Sequence, residues 1–309
     1  MNATAAVKME KISYGGWPNC IQLSNGQIEL VATTDVGPRI IRFGFIGKKN
    51  IFKEQFEQLG KTGGAKWLSY GGHRFWHAPE MMPRTYAPDN SPIKFKWEEK
   101  VLKLIQPVEP SSGVQKEMEV TLHPKENRVT VLHRLINKNV WTMEAAPWAL
   151  TVMQGPGRAI FPQEPFQKQL LPVRPMALWG YTDMNDPRWI WGTKFVQLKC
   201  DPLATTPQKV GMMNTLGWAA YSHQGQVMIK RFGFDPKATY SDFGCNLETY
   251  TQGDLLEVES LGPLAKIEPE GKIEHTEDWF LFKAEIGEDK NLDSLTALVR
   301  QTEVTKKHK

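Results

Sequence analysis

Hydrophobic and polar residues alternate with period two along most of this chain, the pattern of half-buried β-strands rather than of helices. Gln27 to Thr33 shows it, with Ile28, Leu30 and Ala32 on one side. Arg39 to Phe45 follows after the Gly37-Pro38 turn, which predicts a first hairpin. Residues 94–105, 115–122 and 127–136 continue the meander. They are divided by Pro107, Pro110 and Gly113, and then by the turn from Pro124 to Asn127. Trp148 to Gln154 stops at Gly155-Pro156-Gly157, and further strands are expected at 194–199, 216–222, 226–231, 255–261 and 278–285.

Helix signals are few. Ile51 to Leu59 reads as a short helix. Leu292 to Gln301 is better marked, with Asn291 as N-cap and Leu292, Leu295, Leu298 and Val299 on one face. The stretch 155–192 is rich in Pro and Trp, is expected to be mostly loop, and is long and aromatic enough to cover a binding face. Many strands and few helices predict an all-β fold, a sandwich or barrel. With no repeat and no low-complexity linker, the expectation is one large sandwich over residues 1–309.

Composition sharpens this picture. Of the 309 residues, 40% are hydrophobic and 23% charged, a globular balance. The 11 tryptophans are many for such a length and would fill a broad core or line a sugar cleft. The net charge of +4 is spread along the chain, apart from the basic run at Lys306 to Lys309, and lacks the dense footprint of a nucleic-acid binder. Cys20, Cys200 and Cys245 show no metal spacing and read as free thiols of a reducing compartment. A polar N-terminus, and no apolar run long enough to cross a bilayer, complete the expectation of a cytoplasmic protein with no membrane partner.

The densest polar cluster is Tyr70-Gly71-Gly72-His73-Arg74-Phe75-Trp76-His77-Ala78-Pro79-Glu80, read as a strand or loop facing a cleft. On a helix, His73, His77 and Glu80 would share one face as metal ligands do, but the paired glycines and Pro79 argue against that helix, so no metal is expected. The alternative reading of the same cluster is a structural knot, its His and Arg bonded to backbone carbonyls. A second cluster holds Glu248, Glu257 and Glu259. In a strand Glu257 and Glu259 point the same way, roughly 6–7 Å apart, and Leu256, Val258 and Ser260 the other. Lining water, they form an ordinary solvated face; lining a concave cleft, they become general-base candidates, because desolvation raises their basicity. The pair also fits a glycosidase loosely. Trp148, Trp179, Tyr181, Trp189 and Trp191 are candidates to stack on a sugar, though each serves core filling as well. His133 sits in an expected strand, and His275 on an expected exposed rim beside Glu274 and Glu277. No phosphate loop and no nucleophile elbow is present.

Three stretches carry a resemblance. Asn25-Gly26-Gln27 followed by Asp35-Val36-Gly37-Pro38-Arg39-Ile40 resembles the opening of galactose-mutarotase-like proteins. The run from Leu255 to Pro263, with Ile267 to Gly271 and His275, resembles their last strands, and the stretch from Gly71 to Glu80 resembles a separate branch of that superfamily. The resemblance runs along nearly the whole chain in order, and implies a β-supersandwich with a carbohydrate cleft and the interconversion of sugar anomers without a cofactor. In the family a glutamate takes the anomeric hydroxyl proton and a histidine protonates the ring oxygen. Glu257 matches the base of the sugar-phosphate epimerases, and Glu248 that of the longer galactose-type enzymes. The family's histidine is missing from Pro147 to Met153, so His77 or His73 would have to replace it. The expected site is then Glu257 as base with Glu248 as alternate, His77 as acid, and His73, Arg74, Glu80, Glu259, Trp148 and Trp179 against the sugar. The alternative is a sugar-binding or sugar-sensing module on the same fold.

Overall fold

A computed structural model describes residues 6–165, 167–168, 170–287 and 292–304. The described residues form two large antiparallel sheets facing each other, the two-layered β-supersandwich expected from the sequence. The first sheet holds eleven strands. Along its centre lie Arg39–Phe45, His73–Ala78, Met143–Gln154, Leu255–Leu261, Leu247–Gln252 and Gln208–Met212, in that spatial order. The second sheet holds ten, and its middle runs Gln226–Phe232, Lys272–Lys283, Arg128–Asn137 and Val114–Leu122.

The core between the sheets is built by one set of alternate residues from each strand, including Phe43, Phe75, Met153, Leu256 and Val258 from the first sheet and Val131 and Trp279 from the second. The outer face of the second sheet is closed by the helix Asp293–Val304, whose Leu295 and Val299 pack on Ile160, Val227 and Ile229. That is the apolar face its spacing predicts; Asn291, its expected cap, lies outside the described residues.

Several expected elements are corrected. Residues 94–105 form a hairpin, Lys94–Glu98 and Val101–Ile105, folded back at Glu99 and Lys100, both with positive φ. The helix expected at Ile51 to Leu59 is only the 3₁₀ turn Phe56–Gln58. Ile51 and Phe52 are buried in the core, and the backbone there bonds instead to the strand beside it: Lys53 N–H to the Val152 carbonyl, and Gln154 N–H to the Ile51 carbonyl. Tertiary pairing overrides a local pattern. The stretch 155–192 contains three strands, Arg158–Pro162, Met176–Leu178 and Trp189–Trp191, and Trp189 is a core residue. His275 is buried, not on a rim, and its Nε2 lies 2.6 Å from the Ser260 hydroxyl.

The strand His73–Ala78 is buried along its whole length. Its start is set by Gly71 and Gly72, at φ of +90° and +69°. A Cβ at Gly71 would strike the Lys53 carbonyl, and one at Gly72 the Ile40 carbonyl, so no other residue fits there without moving backbone.

Candidate functional site

Because side chains alternate across a strand, each central strand of the first sheet shows one set to the core and the other to the outer face. On that outer face the registers align two rows. One crosses Arg74, Leu150, Glu259 and Glu248; the next crosses Val152, Glu257, Tyr250 and Lys209. Above these rows lies a cleft of 340 Å³. Trp67, Trp76 and Trp148 wall it on one side, Tyr86, Tyr181 and Tyr250 add phenol groups, and Glu80, Glu257 and Glu259 add carboxylates.

Two ion pairs shape the floor. Arg74 Nη1 donates to Glu257 Oε1 at 2.8 Å, and the guanidinium lies 5.2 Å and 4.6 Å from the ring centres of Trp67 and Trp76. Flat, weakly hydrated guanidinium suits such a slot better than ammonium. Lys209 Nζ lies 2.9 Å from Glu248 Oε2 and 3.9 Å from Glu259 Oε2, against the rings of Trp148 and Trp179. The Trp148 indole donates to Glu259 Oε2 at 2.8 Å. Burial pulls the Lys209 ammonium down, but Glu259 and Glu248 more than offset it and hold the charge on. Burial raises both Glu248 and Glu259, and although Lys209 works against this, each carboxyl stays well above its usual range.

The structure thus brings Glu257, Arg74, Glu80, Glu259 and Trp148 to one cleft. Trp179 stands behind Lys209, with its ring centre 4.5 Å from Nζ. Glu248 is fully buried under the lysine. His73 and His77 do not reach this space: their strand turns them, with Phe75, into the interior between the sheets. His77 is fully buried with no hydrogen-bond partner on either ring nitrogen among the described residues, and burial, with Lys116 and Arg84, pushes it down to about 2.

His73 instead belongs to a buried polar network. Its Nε2 is 2.7 Å from His133 Nε2 and its Nδ1 2.8 Å from the Thr151 hydroxyl. Lys230 Nζ lies 2.9 Å from Glu277 Oε1, and the Trp279 indole donates to Glu277 Oε2 at 2.8 Å. His73, His133 and Glu277 are near enough together to hold a cation, but each is already engaged by its neighbours, which is how buried polar groups are ordinarily satisfied.

Lys209, Trp67 and Tyr86 are cleft residues that the sequence reading missed. Lys209 lies in Gln208–Met212, a short strand buried on both faces, where five residues carry too little alternation to mark a lysine that faces the cleft. Trp67 and Tyr86 come from irregular segments flanking His73–Ala78, for which no periodicity exists.

Comparison with solved structures assigns the architecture: it is that of the galactose mutarotase-like proteins. The chain superposes on a galactose mutarotase-like protein from Lactobacillus casei with a TM-score of 0.54, at 8% identity, covering 85% of this chain and 100% of that one. A galactose mutarotase-related enzyme from Lactobacillus acidophilus gives 0.57 at 8% identity, covering 86% and 98%. A TPR-domain-containing protein from Parabacteroides distasonis gives 0.58 at 13% identity, and the chain spans 48% of that protein's length. No family model and no curated protein sequence matches the chain. Among the described residues no helix is long and apolar enough to cross a membrane.

Proposed function

We propose that the cleft binds a sugar ring and interconverts its anomers, with Glu257 as the base. One observation carries this reading: a carboxylate held at 2.8 Å by Arg74 opens onto a cavity walled by three tryptophans. Indole faces suit the apolar face of a sugar, and the surrounding carboxylates and phenols suit its hydroxyls. Arg74, Glu80, Glu259 and Trp148 are the sugar contacts in this reading. Trp179 braces Lys209, and Glu248, beneath the lysine, is not placed to take a proton from the sugar. The names of the structural neighbours, which refer to galactose mutarotases, support a sugar as ligand.

A second reading, a sugar-binding module without turnover, draws on a different observation: among the described residues no histidine lines the cleft. One experiment separates the two. A panel of free sugars and sugar phosphates is tested for a shift in melting temperature, and the binders are followed by exchange NMR. The first reading expects anomer exchange above the spontaneous rate, lowered about 10²–10⁴-fold by Glu257→Gln, with binding largely kept. Binding without accelerated exchange selects the module, and no binding by any sugar at millimolar concentration removes both.

A further inference from the structure

Ring opening needs an acid as well as a base; among the described residues no histidine lines the cleft, and His73 and His77, on the strand that carries Arg74, face the interior. We infer that Glu259 is the acid, holding a proton that it shares with Glu248 beside the Lys209 ammonium; the inference rests on the sugar reading of this cleft. Glu248 and Glu259 are direct cross-strand partners, and both side chains are fully buried. Like charges directly opposite in a sheet repel. One ammonium serves both, at 2.9 Å and 3.9 Å, and the next cation, Arg74, is engaged by Glu257. Two buried carboxylates served by one lysine therefore retain one proton between them, as carboxyl pairs do in other active sites.

The position of that proton follows from the contacts. Glu259 Oε2 accepts from the Trp148 indole, whereas Oε1 has no protein partner among the described residues, on a side chain that lines the cleft. Oε1 is itself buried, so a proton there has no protein acceptor among the described residues and lies in the wall of the cleft that Glu259 helps to form. The charged groups around it are Glu257 on its own strand, Glu248 on the adjoining strand, Lys209 on the strand beyond that, Arg74 across Met143–Gln154, and Glu80 at the rim. Both carboxyls are raised, which agrees with this arrangement.

Glu257 and Glu259 are two residues apart on one strand face, roughly 6–7 Å, room for one anomeric centre between two hydrogen bonds. In the forward step Glu257 takes the proton of the anomeric hydroxyl, C1=O forms as the bond from C1 to the ring oxygen breaks, and Glu259 gives its proton to that oxygen. After rotation about the bond from C1 to C2, the new hydroxyl attacks the other face of C1 and returns its proton to Glu259. Glu257 returns the first proton to the carbonyl oxygen, and neither residue is changed at the end.

The test begins without sugar. In protein carrying ¹³C-labelled Glu carboxyls, NMR titration should show carboxyl titration well above the ordinary range, altered in both Glu259→Gln and Glu248→Gln. With sugar, Glu259→Gln should slow anomer exchange about 10²–10⁴-fold while affinity changes far less. Glu248→Gln relieves the repulsion, so the alkaline limb of the exchange profile should move to lower pH by at least one unit. If every Glu carboxyl of the unmodified protein titrates below about pH 5.5, there is no shared proton and the inference falls, whether or not sugar binds. Full activity in Glu259→Gln overturns it as well. If the titration is found but the unmodified protein never accelerates exchange, the proposed function fails and takes the acid's role with it.

Discussion

Arg74 reaches Glu257 across an intervening strand: the two residues sit on His73–Ala78 and Leu255–Leu261, with Met143–Gln154 between them, and Nη1 and Oε1 are 2.8 Å apart. A long, planar cation spans the gap, pressed between Trp67 and Trp76. Arg74→Lys keeps the charge but loses the stacked plane. It should fold, lose about 1–2 kcal/mol in urea denaturation, and bind sugar at least several-fold more weakly by calorimetry. Unchanged affinity would remove Arg74 from the ligand contacts.

Lys230 and Glu277 form a second buried pair, in the interior, at 2.9 Å. Removing one partner strands the other charge in a dry place. Lys230→Met should cost about 3–5 kcal/mol. Lys230→Met with Glu277→Gln should cost less than the two single changes added together, a coupling of roughly 0.5–3 kcal/mol. Strict additivity in denaturant melts would show that the pair contributes no mutual energy.

Four of the five histidines buried among the described residues, the most strongly depressed, set the acid limit of stability. Burial holds His73 well below its ordinary value, His77 at about 2, His133 at about 4 and His275 at about 3. In the unfolded chain each titrates near 6.5, so below that pH the unfolded state binds more protons and the fold loses stability as pH falls. Each fully engaged histidine adds about 1.4 kcal/mol per pH unit. Glu248 and Glu259 have the opposite sign: their raised folded values give stability that is complete at acid pH and is lost as pH rises through neutrality. Melting temperature should therefore drop steeply from pH 6.5 to pH 5, with only a shallow decline above neutrality. A flat profile between pH 5 and 7 would contradict the burial of these rings.

His77 offers a direct check, because neither of its ring nitrogens has a partner among the described residues. A buried polar group without hydrogen bonds is worth replacing by an apolar one of similar volume. His77→Leu should leave stability at pH 7 unchanged or raise it by about 1 kcal/mol, and should lower the acid-side proton uptake by one. A loss above about 2 kcal/mol would mean that the ring makes a bond not seen here.

Ile28–Thr33 and Leu255–Leu261 were legible because their residues largely alternate apolar and polar in the sequence, although nearly every residue of both strands is buried. Gln208–Met212 and Trp17–Ser24 were not, since a short strand buried on both faces, or a strand opening Trp-Pro-Asn, carries little alternation. The same limit governs the site. Glu257 and Glu259 were correctly paired on one face by parity. His77 was grouped with Arg74 by proximity in the chain, although three steps along a strand place two side chains on opposite faces. Lys209 meets Glu248 only through the register of Gln208–Met212 with Leu247–Gln252, and nothing in a single sequence states a register.

Gly71 and Gly72 therefore do more than turn a corner. Locked against the Lys53 and Ile40 carbonyls, they fix the phase with which the following strand enters the sheet. One residue inserted after Gly72 would exchange the two faces, presenting imidazoles to the cleft and driving the guanidinium inward, away from Glu257. The same six letters thus encode two different chemistries, and the backbone joint ahead of them decides which is expressed. In a sheet of this kind, an insertion or deletion beside the site rewrites function more thoroughly than most substitutions within it.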